Sequence, residues 1–243
     1  MDPENIYSIL NKAYFSENPH EAEVLKHMRK LLTICKLFVD VGASLGQFTK
    51  LANDYMDNGL IISVEADPIR FARLESNCNN WSKKGKNKII PIHGAITEKK
   101  EIVRFQTTNS NISGGLYRHQ IKETELNPVL TWNEIEVQGT TLDELCEGRV
   151  PDLIKMDIEG AELKALKGSQ GILKSRKTFF VIELHSFEEV GGNKNIYQCK
   201  QYMKKSGYWN APFYGKTIFF PSNFNNIKIF LKYHLFRVFK YFN

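Results

Sequence analysis

The stretch Leu37-Phe-Val-Asp-Val-Gly-Ala-Ser-Leu-Gly46 decides the fold of this chain. It is an apolar run that carries Asp40 near its end and continues into glycines at positions 42 and 46. A second apolar run, Leu60-Ile-Ile-Ser-Val-Glu65, ends in an acid nineteen residues after the second glycine. This order of strand, glycine turn, helix, strand and acid predicts a cofactor that contains a nucleoside, bound at the carboxyl edge of a parallel sheet.

Strand-like and helix-like segments alternate along the rest of the chain. Strands are predicted over residues 37–41, 60–64, 88–93, 102–106, 135–138, 152–156, 178–184, 208–214 and 217–220. Helices are predicted over residues 4–15, 19–34, 46–56, 67–79, 141–145, 161–167 and 193–206. The pattern predicts an α/β fold with a mostly parallel sheet, helices on both faces and an antiparallel hairpin at one edge.

Length and composition are those of an ordinary globular domain. The 243 residues predict an N-terminal helical cap over 1–36, a main domain over 37–222 and a C-terminal helix over 223–243. A polar, turn-rich segment over 107–132 interrupts the main domain, and loops of that length are usually functional or mobile. The four cysteines lie far apart, and no signal peptide or spanning segment is evident, so a cytoplasmic location is expected.

Positive charge is concentrated at the C-terminal end. The net charge is +6, and no acidic residue follows Glu189, whereas nine Lys and Arg residues do. This asymmetry favours either an anionic partner or a solubilising basic surface. Residues 223–243 place apolar side chains on one helical face, which suits a membrane interface, self-association, or packing on the chain's own domain.

The glycine spacing selects the class of cofactor. The pattern Asp40-x-Gly42-x-x-x-Gly46 is not the dinucleotide fingerprint, because Ser44 stands where a glycine is needed. The carboxylate of Asp40 suits a cationic ligand better than a diphosphate, and S-adenosyl-L-methionine carries an ammonium group and a sulfonium. Gly42 permits close approach to the ligand, and Glu65 accepts hydrogen bonds from both ribose hydroxyls.

Further residues are predicted to line the same cofactor site. Ala43, Ser44, Gly46 and Gln47 surround the opening of the first core helix, where Gln47 reaches the methionine portion. Ala66, Ala95 and Asp157 complete the predicted set, with Ala95 framing the adenine. His93, at the end of the third strand, is interpreted as structural.

Six short motifs occur in an order that resembles one known family. They are Asp40-Val-Gly-Ala-Ser-Leu-Gly46, Val64-Glu-Ala-Asp-Pro68, Thr141-Leu-Asp143, Leu153-Ile-Lys-Met-Asp-Ile-Glu-Gly-Ala-Glu162, Leu166-Lys-Gly168 and Val181-Ile-Glu-Leu-His185. Over roughly residues 20–190 the chain resembles the FkbM-type methyltransferases, which are class I enzymes that use S-adenosylmethionine. The resemblance implies a seven-stranded Rossmann-like sheet and methyl transfer to oxygen, often a hydroxyl of a sugar or natural product.

Methyl transfer from a sulfonium is an in-line displacement that needs a positioned acceptor and a base, but no metal. Asp157 is the leading catalytic candidate, and Lys155 lies on the same strand face, where it keeps Asp157 ionised or orients the acceptor. Glu183 and His185 end the fifth core strand, and His185 is a candidate general base with a pKa near neutrality. A purely structural role for both remains open, and no ligand spacing demands a metal at Asp157, Glu159 and His185.

Two other functions remain open on the sequence alone. An RNA ribose 2′-O-methyltransferase would use Lys155, Asp157 and Glu183 around the ribose and the basic C-terminal region on phosphates, although no RNA-binding module is evident. A membrane-peripheral module with a vestigial cofactor pocket would use the C-terminal helix. The intact Asp40, Glu65 and Asp157 favour an enzyme, with a small molecule or glycan as acceptor.

Overall fold

A computed structural model describes residues 19–83, 85–108, 132–186 and 191–223. The helices are α1 (Pro19–Leu32), α2 (Gln47–Tyr55), α3 (Pro68–Ser82), α4 (Leu142–Leu145), α5 (Glu162–Lys167), α6 (Gln170–Ser175) and α7 (Asn193–Lys205). The strands are β1 (Leu37–Val41), β2 (Leu60–Glu65), β3 (Lys88–His93), β4 (Ala95–Ile96), β5 (Glu101–Thr108), β6 (Trp132–Thr140), β7 (Leu153–Met156), β8 (Phe179–Ile182), β9 (Tyr208–Phe213) and β10 (Lys216–Pro221).

A seven-stranded sheet in the order β3-β2-β1-β7-β8-β10-β9 forms the centre of the molecule. Its first five strands are parallel, and β10 pairs antiparallel with both β8 and β9. The predicted α/β fold with an antiparallel edge hairpin is confirmed. Because the chain runs outward from β1 to β3 and then resumes at β7, the carboxyl ends of β1 and β7 flank the switch point where such sheets bind ligands.

The sheet is covered on both faces, and strand alternation assigns each side chain to a face. Phe38 packs into a buried cluster that includes residues of α1, α2 and α3. Val39, the next residue, packs into a second cluster with residues of α4, α5, α6 and α7. Successive residues of a strand point to opposite faces, so a strand covered on both sides is apolar throughout. This explains why β1, β7 and β8 are largely apolar, with Asp40 in β1 and Lys155 in β7 as buried exceptions.

The structure adds elements that the sequence analysis missed. Strands β5 and β6 were predicted, but β4, which has only two residues, was not, and the three strands form a separate sheet. Helix α6 has six residues, too few for an apolar periodicity to show. Helix α1, expected in a separate cap, buries Val24 and Met28 in the main core.

Several predicted segments lie outside the described residues. They are the helix at 4–15, most of the polar segment at 107–132, and nearly all of the C-terminal helix at 223–243. Among the helices that the structure describes, none combines the length and the hydrophobicity that crossing a bilayer requires.

Candidate active site

The glycine loop between β1 and α2 crosses very closely over the segment that follows β7. Gly42 has a φ of +71°, and a Cβ built on it would lie 1.8 Å from the carbonyl oxygen of Asp157. The backbone N–H groups of Gly42 and Ala43 both donate to the carbonyl of Val64, at 3.0 and 2.9 Å. We expected Gly42 to make room for a ligand, but the atom that demands glycine here belongs to the neighbouring strand end.

Asp40 and Lys155 form a buried pair beneath the glycine loop. The two residues are register partners on β1 and β7, and Asp40 is completely buried. One oxygen of Asp40 accepts from Thr49 Oγ1 at 2.8 Å, and the other lies 3.4 Å from Lys155 Nζ. Lys155 Nζ also donates to the carbonyl of Gly42 at 2.8 Å. Both side chains therefore hold the glycine loop from its buried side. In this conformation neither is exposed enough to contact the ammonium group of a cofactor or an acceptor.

Glu65, the predicted ribose contact, lies at the end of β2 beside the glycine loop. Its two carboxylate oxygens accept from the backbone N–H groups of Ser44 and Asp67, at 2.7 and 2.8 Å. Burial raises the pKa of the Glu65 carboxyl, which is 7% exposed. Each carboxylate oxygen has a second acceptor position, so ribose hydroxyls remain acceptable partners for Glu65.

The other predicted cofactor residues lie around the same strand ends. Gly46 precedes α2 with a φ of +94°, and a Cβ there would meet Leu74 at 2.9 Å. Gln47 is the first residue of α2 and is half-buried. Ala66 and Ala95 pack together in the small cluster under the second sheet. Contact between these residues and a cofactor stays a prediction.

A second group of side chains converges at the ends of β7 and β8. Four carboxylates surround His185: Glu162 lies 2.8 Å from Nδ1, whereas Glu159, Asp157 and Glu183 lie 3.4, 3.8 and 3.9 Å from Nε2. Burial lowers the pKa of His185, but the hydrogen bond with Glu162 and the surrounding negative charges outweigh burial and raise it to about 9. His185 is therefore an imidazolium at neutral pH, a form that cannot accept a further proton, and its role as a general base stays a prediction.

Asp157 and Glu183 differ in basicity although they are neighbours. Burial raises the pKa of Asp157, yet the positive charges of Lys155 and Lys216 outweigh it and lower the pKa to about 2. Burial, reinforced by the negative charge of Asp157, raises the pKa of Glu183. The pair titrates together, and Glu183 is the stronger base of the two.

Lys216 is a site residue that the sequence analysis missed. Its Nζ donates to Glu183 Oε2 and lies 3.4 Å from Asp157 Oδ2, and its side chain is 1% exposed. In the sequence it follows Gly215 in a predicted hairpin, where a lysine is normally interpreted as a solvent-exposed turn residue. No spacing in the sequence connects it to Asp157, because the contact spans 59 residues.

The cluster also contains ligand types that a metal ion would accept. Three ligand atoms, one from each of Asp157, Glu183 and His185, lie within 4.8 Å of one another. This set differs from the group considered in the sequence analysis, since Glu183 takes the place of Glu159. Lys216 Nζ already contacts two of the three, so a positive charge is present among these oxygens without a metal.

Known proteins resemble this chain in sequence and in fold. Residues 40–237 match the family described as the Methyltransferase FkbM domain. The hexuronic acid methyltransferase AglP of Haloferax volcanii is 24% identical over 147 residues, which are 60% of this chain and 55% of that protein. The chain therefore spans about half the length of this curated relative.

Two solved structures align with this chain. Methyltransferase FkbM from Methylobacillus flagellatus aligns with a TM-score of 0.50 and 16% identity, over 76% of this chain and 43% of that chain. Fibrillarin of Aeropyrum pernix with natively bound S-adenosyl-L-methionine aligns with a TM-score of 0.41 and 12% identity, over 76% of this chain and 64% of that chain.

The close crossing at Gly42 gives a first testable prediction. We expect Gly42→Ala to lower the free energy of unfolding by about 3 kcal/mol or more, because a backbone carbonyl cannot move aside. Gly148→Ala is the matched control, since Gly148 has a φ of +77° and a Cβ added there would meet nothing within 4 Å. The control should cost only about 1 kcal/mol. Equal losses in urea denaturation would show that the crossing imposes no constraint.

The environment of His185 predicts a pH-dependent contribution to stability. Its pKa of about 9 in the folded protein exceeds the ordinary value of 6.5, so the imidazolium stabilises the fold fully below about pH 6.5. That contribution is lost as the pH rises through 9. We expect His185→Gln to cost on the order of 2–3 kcal/mol at pH 6 and much less at pH 10, measured by denaturant unfolding.

The exposed His93 provides the control for this experiment. His93→Gln should cost little stability in the same measurements, because the side chain is exposed. A loss for His185→Gln that is equal at pH 6 and pH 10 would contradict the assignment of an imidazolium.

Proposed function

Because the chain belongs to the FkbM methyltransferase family, we propose that it transfers the methyl group of S-adenosyl-L-methionine to a hydroxyl oxygen of a glycan or small molecule. One observation carries this proposal: the glycine loop that follows β1 rests directly on the Asp157 backbone. A cofactor held by that loop and by Glu65 would therefore have its reactive end beside the carboxylates of Asp157 and Glu183.

The fit between the cofactor and this site is electrostatic as well as steric. The site contains two cationic side chains, His185 and Lys216. Around them lie four carboxylates, those of Asp157, Glu159, Glu162 and Glu183. The described site thus carries an excess of negative charge, which favours a ligand with a net positive charge. S-adenosyl-L-methionine has one ammonium, one sulfonium and one carboxylate, and when bound it supplies an electrophilic methyl group.

The residues of the chain then have distinct roles in the transfer. Glu65 binds the ribose, and the backbone around Ala43 and Ser44 contacts the methionine portion. Glu183 accepts the proton of the acceptor hydroxyl as the new C–O bond forms and the C–S bond breaks, because its raised pKa makes it the stronger base. Asp157 stays ionised and orients the acceptor hydroxyl.

One relative supports a sugar as the class of acceptor. Hexuronic acid methyltransferase AglP acts, by its name, on a sugar acid, and it shares 24% identity with this chain. A phosphate-rich acceptor would meet the carboxylates around His185 at close range, which is unfavourable. RNA is therefore the weaker alternative. Association of residues 223–243 with a membrane surface or with a second copy remains a separate prediction.

Cofactor binding can be tested without knowing the acceptor. We expect Glu65→Gln to weaken binding of S-adenosyl-L-methionine by about tenfold or more, because a charged acceptor of ribose hydroxyls is lost. Isothermal titration calorimetry measures this directly. The control is Glu134→Gln, whose side chain is 47% exposed on β6. Unchanged affinity in Glu65→Gln, or no binding by the wild type, would refute the cofactor site.

The acceptor class requires a product assay. Wild-type protein is incubated with methyl-deuterated S-adenosyl-L-methionine and, separately, methyl glucoside, methyl glucuronide and a short oligoribonucleotide, and products are identified by mass spectrometry. We expect a labelled sugar. We also expect Glu183→Gln to lower the rate by a factor of about 10² or more while cofactor affinity is kept, because the proton acceptor is lost. Labelling of the oligoribonucleotide alone would overturn the proposed acceptor, and full activity of Glu183→Gln would overturn the proposed base.

A further inference from the structure

We propose that Lys216 is a positioning residue of this site, whose buried ammonium group holds the Asp157 and Glu183 carboxylates in the place that a divalent cation would otherwise take. Its effect on catalysis rests on the proposed methyl transfer, whereas its geometric role does not. The proposal assigns to the edge hairpin β9–β10 a part in the site, in addition to closing the sheet.

The hairpin delivers Lys216 to the site through strand register. Thr217 pairs with Ile182, the last residue of β8, in antiparallel register. Continuing that register by one step brings Lys216 level with Glu183, to which its Nζ donates. On the other side Lys216 pairs with Phe213 of β9, which is buried in the main core. The position of the ammonium group is therefore fixed by two strands.

Lys216 is in direct contact with both carboxylates. Its Nζ lies 3.4 Å from Asp157 Oδ2 and donates to Glu183 Oε2. His185 Nε2 is 3.8 Å from Asp157 and 3.9 Å from Glu183, which exceeds hydrogen-bond distance. Two neighbouring carboxylates repel each other unless a cation lies between them, so Lys216 allows Glu183 to remain close to Asp157.

The contacts of Lys216 with the two carboxylates also determine whether a metal ion can bind there. Ligand atoms of Asp157, Glu183 and His185 lie within 4.8 Å of one another, and because His185 is an imidazolium, a cation would bind through the two carboxylates. Hard divalent cations bind through such oxygens. An ammonium group that is 1% exposed and bound to two of these three residues occupies that position and repels a second cation. Removing the charge of Lys216 should therefore create a metal site that the wild type lacks.

The experiment titrates Mn²⁺ into the full-length protein and follows the free ion by electron paramagnetic resonance. The variants are Lys216→Met, Lys216→Arg, the double variant Lys216→Met/Glu183→Gln, and Lys204→Met as a control on the exposed face of α7. We expect Lys216→Met to bind Mn²⁺ about tenfold or more tightly than the wild type, and the double variant to lose that gain. Lys216→Arg and Lys204→Met should behave like the wild type.

Two outcomes would overturn the proposal: Mn²⁺ binding by the wild type that is as tight as in Lys216→Met, or no gain in Lys216→Met. If Lys216→Met does not fold, the double variant decides. Recovery of folding by Glu183→Gln supports the pairing, because one of the two carboxylates left without their cation has been neutralised, and no recovery contradicts it.

A kinetic measurement separates this inference from the proposed function. On the acceptor sugar, Lys216→Met should lower kcat with an unchanged KM for S-adenosyl-L-methionine, and Lys216→Arg should restore part of kcat. A wild type that methylates no sugar would refute the proposed acceptor, while the Mn²⁺ titration would still decide the role of Lys216. Unchanged kcat in Lys216→Met would refute the positioning role.

Discussion

The rest of this site depends on a buried ion pair that joins the two central strands of the sheet. Asp40 on β1 and Lys155 on β7 face each other in register, and Lys155 also donates to the carbonyl of Gly42. Burying two charges is expensive, and loss of either partner would leave an uncompensated charge in the core, at a cost of about 3–5 kcal/mol. The pair fixes where the glycine loop lies relative to the end of β7, and so where a cofactor would lie relative to the carboxylates.

The site divides its charged residues between two tasks. Asp40 and Lys155 are nearly or fully buried and act on the backbone of the glycine loop. Asp157 and Glu183 are partly exposed and remain available to ligands, while His185 and Lys216 supply positive charge around them. Neighbouring carboxylates in this arrangement acquire different pKa values, which is the condition under which one stays ionised and the other takes up a proton.

The sequence predicted the architecture because the central strands are buried on both faces. An apolar run such as Leu37–Val41, followed by glycines and later by Glu65, has few structural interpretations. The short elements β4 and α6 escaped prediction because two and six residues carry no measurable periodicity. The converging ends of β7 and β8 were also predicted, since carboxyl ends of parallel strands meet at one edge.

The roles of single side chains were harder to predict, because they depend on contacts across the sheet. Asp40 and Lys155 are far apart in the chain and become partners only through strand register. The pKa of His185 is raised because Asp157, Glu159 and Glu162, which follow β7, surround a side chain that follows β8. The central claim is that one cofactor joins Glu65 to these acids, and a crystal structure with S-adenosylhomocysteine tests it most directly. The account predicts both ribose hydroxyls hydrogen-bonded to Glu65 and the sulfur directed toward Asp157 and Glu183; a nucleoside bound away from Glu65, or a sulfur directed away from both carboxylates, would contradict it.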